Sequence, residues 1–130
     1  MNRRHENKRE HPRYPMRWKV AIVYDHVDAR PTFHGVTNEL SVSGMSLLTD
    51  HNIFTEEPVT LLLAIPPKHQ GTRTKVVEIR ARMVYTVHSS GHDKFRIGLQ
   101  FKRFKDGGRA LLETSMKERA VTYSSSDIIR

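Results

Sequence analysis

The segment "TKVVEIRARMVYTVHSSGHDKFRIGLQF", residues 74–101, carries two alternating apolar patterns on either side of a short polar stretch. In its first half every second residue is apolar: Val77, Ile79, Ala81 and Met83. The second half repeats the pattern from Phe95 to Phe101. A period of two is typical of a strand with one buried face, and the intervening "SSGHD" is typical of a hairpin loop. The segment therefore predicts a long β-hairpin.

Four further strand-like segments precede this hairpin, and turn residues rather than helical patterns separate them. They cover residues 17–24, 33–40, 44–50 and 58–66. The break before the third of them is "SVSG", where we expect Gly44 to supply a backbone geometry that other residues avoid. Six strands at short spacing favour an all-β antiparallel barrel or sandwich over a sheet of alternating strands and helices.

The pattern changes after the sixth strand. In "DGGRALLETSMKERAVTY" the apolar residues Leu112, Met116 and Ala120 recur every four positions, which predicts a C-terminal α-helix from about Gly108 to Ala120. We divide the chain into a flexible N-terminal arm at residues 1–15, a barrel with its helix at residues 16–123, and a disordered tail at residues 124–130. We expect Trp18 and Phe95 to lie in the core.

The basic residues concentrate at the start of the chain. The net charge is +8, and residues 1–19 hold seven Lys or Arg side chains against two Glu. Such a concentration predicts attraction to an anionic partner, which could be a nucleotide, a nucleic acid or a membrane surface. The charge alone does not distinguish them.

Several classes of function find no support in the residues. The chain has no cysteine, and its histidines do not form a metal-ligand pattern, so we expect no metal site. We find no nucleophile motif and no glycine-rich phosphate loop, so we expect no catalytic residues. The longest apolar run, Val59–Ile65, is far shorter than the roughly 20 residues of a membrane helix. We therefore predict a cytoplasmic binding module with no membrane insertion.

Two short motifs carry the functional signal. Arg9 and Arg13 form an R-x-x-x-R pair just ahead of the first strand, and about 30 residues later "NELSVSG" places Glu39, Ser41 and Gly44 in an acidic-x-Ser-x-x-Gly turn. In this order they resemble the two signatures of the PilZ domain, the bacterial receptor for cyclic di-GMP. The hairpin also resembles that of PilZ domains. The resemblance implies a six-stranded barrel whose ligand is cyclic di-GMP.

The residue types suit such a ligand, which is a dianion with two guanines. Arginine can pair bidentately with a phosphate or with guanine O6 and N7, so the resemblance assigns Arg9 and Arg13 to ligand binding. Oxygens of Glu39 and Ser41 can accept hydrogen bonds from a guanine edge, and Gly44 lets the turn pass close to the ligand.

The resemblance adds three more residues to the expected site. Tyr85 lies where many PilZ domains carry an aromatic residue near a base, and Gly98 leaves room on the neighbouring strand. Lys8 occupies a position that influences whether one nucleotide or an intercalated pair binds in the family, and a basic residue there is compatible with the pair.

The chain departs from the family pattern at one position. The family has Asp or Asn where this chain has Glu39, and Asn38 lies one residue earlier. Neighbouring strand residues face opposite ways, so Asn38 could take the role only through a β-bulge.

We therefore predict a cyclic di-GMP receptor whose arm orders on binding and signals to an unidentified protein partner, in motility, pilus or polysaccharide regulation. Two alternatives stay open. The chain could be a PilZ-fold adaptor that binds protein but no nucleotide. Less expected is a small-barrel nucleic-acid binder, because the only aromatic residues near the arm are Tyr14 and Trp18.

Overall fold

The computed structural model describes the backbone of residues 11–129 and the side chains of residues 11–120. The described chain forms six β-strands and one α-helix. Their bounds are Lys19–Val23 (β1), Thr32–Leu40 (β2), Gly44–Thr49 (β3), Val59–Ile65 (β4), Lys75–Ser89 (β5), Lys94–Phe104 (β6) and Gly108–Ile129 (α1). The strands pair antiparallel and close in the order β1-β2-β3-β6-β5-β4. The predicted barrel is confirmed, and each predicted strand is present.

The barrel interior is filled by the alternating apolar positions that define the strands. Ile79 and Ala81 of β5 and Ile97 of β6 are fully buried, and Trp18 is 6% exposed. Phe95 differs from the prediction, because it is only half-buried at the start of β6 and packs edge-on against His88. Its cross-strand partner on β5, His88, is exposed, so the ring is packed on one side only.

Helix α1 packs on the barrel through its first turns. Leu112 and Met116 are buried in the core cluster. Farther along, the Arg119 Nη2 donates a hydrogen bond of 2.6 Å to the carbonyl of Pro66, and its guanidinium lies 5.3 Å from the centre of the Trp18 ring. The helix thereby joins the start of β1 to the end of β4.

The helix is longer than the sequence predicts. It begins at Gly108 as expected but continues to Ile129, so the predicted end near Ala120 is wrong. Neither glycine nor proline occurs after Gly108, so no residue in this stretch forces the helix to stop. The three serines at residues 124–126 do not end the helix.

A polar cluster on the outer surface joins the end of β1 to β4 and β5. The Arg80 guanidinium donates to both carboxylate oxygens of Asp25 at 2.9 Å, and the Thr60 hydroxyl donates to the same carboxylate at 2.7 Å. Partial burial by itself would raise the pKa of Asp25, but the hydrogen bonds from Thr60 and Arg80, with the positive charge of Arg80, lower that pKa below its ordinary value.

Candidate ligand-binding cleft

A cleft of about 1010 Å³ lies beside the β2–β3 turn, on the outer side of β3, β5 and β6. It brings together every predicted site residue that falls within the described chain: Arg13, Glu39, Ser41, Gly44, Tyr85 and Gly98. The other two predicted site residues, Lys8 and Arg9, lie outside the described residues. Residues that are far apart in sequence thus share one concave surface.

The segment before β1 is hydrogen-bonded to β2. Tyr14 and Leu40 exchange backbone hydrogen bonds of 2.8 and 2.9 Å. The buried Thr37 hydroxyl accepts from the Trp18 amide at 2.8 Å and donates to the Met16 carbonyl. Tyr14 is therefore held on the barrel, although it falls within the stretch assigned to the arm. This attachment places the neighbouring Arg13 in the cleft.

Arg13 faces the turn motif directly. Its guanidinium lies 3.7 Å from the Glu39 carboxylate, and the two side chains are 46% and 47% exposed. An exposed ion pair of this kind contributes only about 0 to 1 kcal/mol. Arg13 can therefore exchange Glu39 for an anionic ligand at little energetic cost.

Strand β2 contains a bulge at the position where this chain departs from the family pattern. The register with β3 shifts between Thr37 and Glu39, so Asn38 is the extra residue. Thr37 and Leu40 are both fully buried, which leaves Asn38 and Glu39 together outside the core. The Asn38 amide lies 3.4 Å from the hydroxyl of Ser46, itself a residue of the cleft wall. The β-bulge that Asn38 would need in order to lie on the same side of the strand as Glu39 is therefore present.

Ser41 shapes the β2–β3 turn. It is 4% exposed, and its hydroxyl oxygen accepts from the backbone amides of Ser43 at 3.1 Å and Gly44 at 3.2 Å. The Ser41 amide also donates to the Gly44 carbonyl at 2.9 Å. Such a serine turn fixes the backbone locally. The hydroxyl is thus committed first to the turn, and it contributes to the cleft mainly by setting the turn's shape.

Gly44 is needed for a reason other than the predicted one. Its φ is not in the left-handed region, where the described glycines are Gly71 and Gly107. A side chain at Gly44 would instead place its Cβ 2.5 Å from the carbonyl oxygen of Leu99 on β6. The requirement is the close approach of β3 to β6, which forms the floor of the cleft.

Tyr85 and Gly98 form one unit on this floor. They are cross-strand partners, after a register shift between Met83 and Tyr85. A Cβ at Gly98 would lie 2.2 Å from Cε2 of the Tyr85 ring, so the ring covers the glycine. Arg96 is on the same strand as Gly98, and its guanidinium lies 6.0 Å from the centre of the Tyr85 ring. Tyr85 remains 38% exposed and can stack on a base.

Four charged or aromatic side chains of the cleft wall were not predicted from the sequence. Arg82 of β5 and Arg96 of β6 add cations, and Phe54 and Glu56 come from the loop between β3 and β4. The alternating pattern of the two strands predicts only that Arg82 and Arg96 are exposed. Phe54 is the one of the four with a sequence signal for a binding role, because it is a large apolar residue in a polar loop. Its place in the cleft depends on closure of the barrel, which brings that loop to the cleft.

The described residues provide neither a metal site nor a membrane span. No group of three His, Asp or Glu side chains within them is arranged to hold an ion. Likewise, the helix of the described chain lacks the apolar stretch needed to cross a bilayer.

The fold and the cleft define a small antiparallel barrel domain with an arginine-rich, aromatic cleft beside its β2–β3 turn. The family model for the PilZ domain matches residues 7–118, and the chain belongs to this family. The resemblance inferred from the two motifs is confirmed. No curated protein matches the chain in sequence.

Three solved structures illustrate the shared fold. The inhibitor of motility MotI/DgrA from Bacillus subtilis has 16% identity and a TM-score of 0.71, with 89% of this chain and 52% of that chain covered. YcgR from Escherichia coli, in complex with cyclic di-GMP, has 13% identity and a TM-score of 0.61, with 95% and 51% covered. The MrkH–cyclic di-GMP complex of K. pneumonia has 14% identity and a TM-score of 0.62, with 92% and 56% covered. The chain thus spans about half the length of these proteins.

Proposed function

We propose that this PilZ domain is a receptor for cyclic di-GMP. The observation that carries the proposal is the convergence of Arg13, Glu39, Ser41, Gly44, Tyr85 and Gly98 in one cleft. Membership of the PilZ family supports it, as do the cyclic di-GMP complexes of the structurally similar YcgR and MrkH. The role is binding rather than turnover, so the nucleotide should be recovered unchanged after incubation with the protein.

The chemistry of the cleft fits a dianionic dinucleotide. Arg13 can leave its weak pair with Glu39 and bind a phosphate or a guanine O6/N7 edge bidentately. The freed Glu39 carboxylate can then accept from guanine N1–H and N2–H. Tyr85 offers an exposed ring held in place by Gly98 and Arg96.

Calorimetric titration with cyclic di-GMP at physiological salt tests the proposal. Arg9→Ala and Arg13→Ala should each weaken binding by about 10- to 150-fold, because each removes charge-assisted hydrogen bonds worth about 1.5 to 3 kcal/mol. Arg109→Ala is the matched control, since Arg109 is an exposed arginine of α1 outside the cleft. It should bind like wild type.

The same titration, repeated at several salt concentrations and with a cyclic dinucleotide that lacks guanine, separates the alternatives. A wild-type protein that takes up no nucleotide would leave the protein-binding adaptor as the function. Binding that is indifferent to guanine and falls steeply with salt would point to a nucleic-acid binder. Equal affinity of the two arginine variants and the control would overturn the proposed site.

We further propose that cyclic di-GMP orders the arm ahead of Tyr14 and so signals to a protein partner in the cytoplasm. Tyr14 is bonded to Leu40 on the barrel, which supports a change confined to the residues before it. Hydrogen exchange should slow on ligand addition in residues 1–13 and stay constant in β4. Unchanged exchange in residues 1–13 at saturation would refute the ordering step.

A further inference from the structure

The loop between β3 and β4, residues 50–58, presents an exposed aromatic ring to the cleft. Phe54 is 50% exposed and lines the cleft, whereas its neighbours Ile53 and Thr55 are half-buried. A large apolar side chain left in water inside a concave surface is a common feature of ligand sites. Core packing does not explain this ring.

The loop is anchored, so its cleft residues have a defined place. The Thr86 hydroxyl of β5 donates to the Ile53 carbonyl at 2.5 Å, and Ile53 packs against the core. The Thr55 hydroxyl accepts from the Glu57 amide at 3.1 Å, which shapes the turn that follows Phe54. An anchored loop can hold a ligand without a large ordering cost.

The charges of the cleft leave one carboxylate without an ion-pair partner. Glu39 is paired with Arg13, whereas Glu56 forms no salt bridge with any residue whose side chain is described. A carboxylate has two acceptor oxygens that match the adjacent N1–H and N2–H donors of guanine. Glu56 lies two residues from Phe54, so ring and carboxylate come from the same short turn.

We infer that the β3–β4 loop forms a second guanine-binding wall, in which Phe54 stacks on one base and Glu56 accepts hydrogen bonds from that base's N1–H and N2–H. This inference rests on the proposed function and assigns the two guanines to two separate sets of cleft residues. Tyr85 and Glu39 serve one base, and Phe54 and Glu56 serve the other. Arg82 and Arg96 are left to complement the phosphates.

The first test measures cyclic di-GMP affinity by calorimetry. Glu56→Gln should weaken binding about tenfold or more, because it removes a charged acceptor. Glu57→Gln is the matched control, since Glu57 is an exposed neighbouring carboxylate outside the cleft. Phe54→Ala should weaken binding by about 5- to 150-fold, as expected for a lost base stack. Urea unfolding of each variant should match wild type, because Phe54 and Glu56 are exposed.

The second test uses a nucleotide analogue. Cyclic di-inosine monophosphate lacks the guanine 2-amino group, so wild type should bind it more weakly than cyclic di-GMP. In Glu56→Gln the difference between the two ligands should shrink, whereas Glu57→Gln should keep the full difference. Failure of wild type to bind cyclic di-GMP would overturn the proposed function itself. If wild type binds and the Glu56 and Phe54 variants match the Glu57 control, only the second wall is refuted.

Discussion

Replacing Gly98 by alanine tests how the floor of the cleft is built. The added methyl would lie 2.2, 2.5 and 2.8 Å from three carbons of the Tyr85 ring. Real atoms do not approach so closely, so the ring must leave its place. Because the ring is 38% exposed, it can swing outward without displacing the backbone.

The expected size of the effect comes from three contributions. The added methyl group overpacks the site and displaces the Tyr85 ring. Such overpacking costs about 1 to 3 kcal/mol, and the lower end of this range applies to a partly exposed ring. Moving away from Arg96 loses a cation–π contact of about 0.5 to 1 kcal/mol. Alanine in a strand gains about 0.5 to 1 kcal/mol over glycine. The net loss of unfolding free energy should be about 1 kcal/mol.

A double-mutant cycle isolates the contact. In a Tyr85→Ala background no ring obstructs the methyl, so Gly98→Ala should stabilise the protein by about 0.5 to 1 kcal/mol. The change of sign, measured by urea unfolding, gives a coupling of about 1.5 to 2 kcal/mol between the two positions. In the wild-type background Gly98→Ala should also weaken cyclic di-GMP binding by about 5- to 150-fold, since the stacking surface has moved.

Gly91→Ala is the control for this cycle. Gly91 lies in the β5–β6 turn, where an added Cβ would meet no atom within 4 Å and the backbone has no positive φ. Its effect on unfolding should stay within about 0.5 kcal/mol. Additive effects of Gly98→Ala and Tyr85→Ala would refute the packing of the ring on the glycine.

Two other predictions concern stability and are measured by denaturation. Thr37→Val should lower the free energy of unfolding by about 1 to 3 kcal/mol, because it leaves the buried amide of Trp18 without its acceptor. An unchanged midpoint of urea unfolding would refute this role of the Thr37 hydroxyl. Because the pKa of Asp25 is lowered, this carboxyl group binds a proton less readily in the folded state than in the unfolded state. The ionised carboxylate therefore stabilises the folded state above the ordinary aspartate pKa of about 4, and this stabilisation is lost as the pH falls below that value. Thermal unfolding from neutral pH down to about pH 3 should therefore show a smaller acid-induced loss in Asp25→Asn than in wild type, and equal losses would contradict the assignment.

The strands could be predicted because their signal is local. The alternation of Ile79 and Ala81 with charged neighbours fixes which face of β5 is buried, whatever the rest of the chain does. The motif residues Arg13 and Glu39 could be predicted to meet only through the family resemblance. No local pattern relates a residue before β1 to one at the end of β2.

The remaining features depend on tertiary contacts. Phe54 enters the site only because the barrel closes and Thr86 holds its loop, and neither contact is visible in the loop's own residues. A sequence shows that residue 44 is glycine, but it does not show whether a backbone angle or a neighbouring carbonyl requires a glycine there. Helix length was underestimated since serines weaken a helix without ending it.

The bulge at Asn38 has an evolutionary consequence. Because Asn38 is a supernumerary residue between Thr37 and Glu39, a lineage could lose it while Thr37 and Leu40 still pointed inward and Glu39 outward. A deletion among residues 32–37 would turn part of the strand inside out. Homologous chains should therefore vary in length at this one position, with the serine–glycine turn after it kept intact.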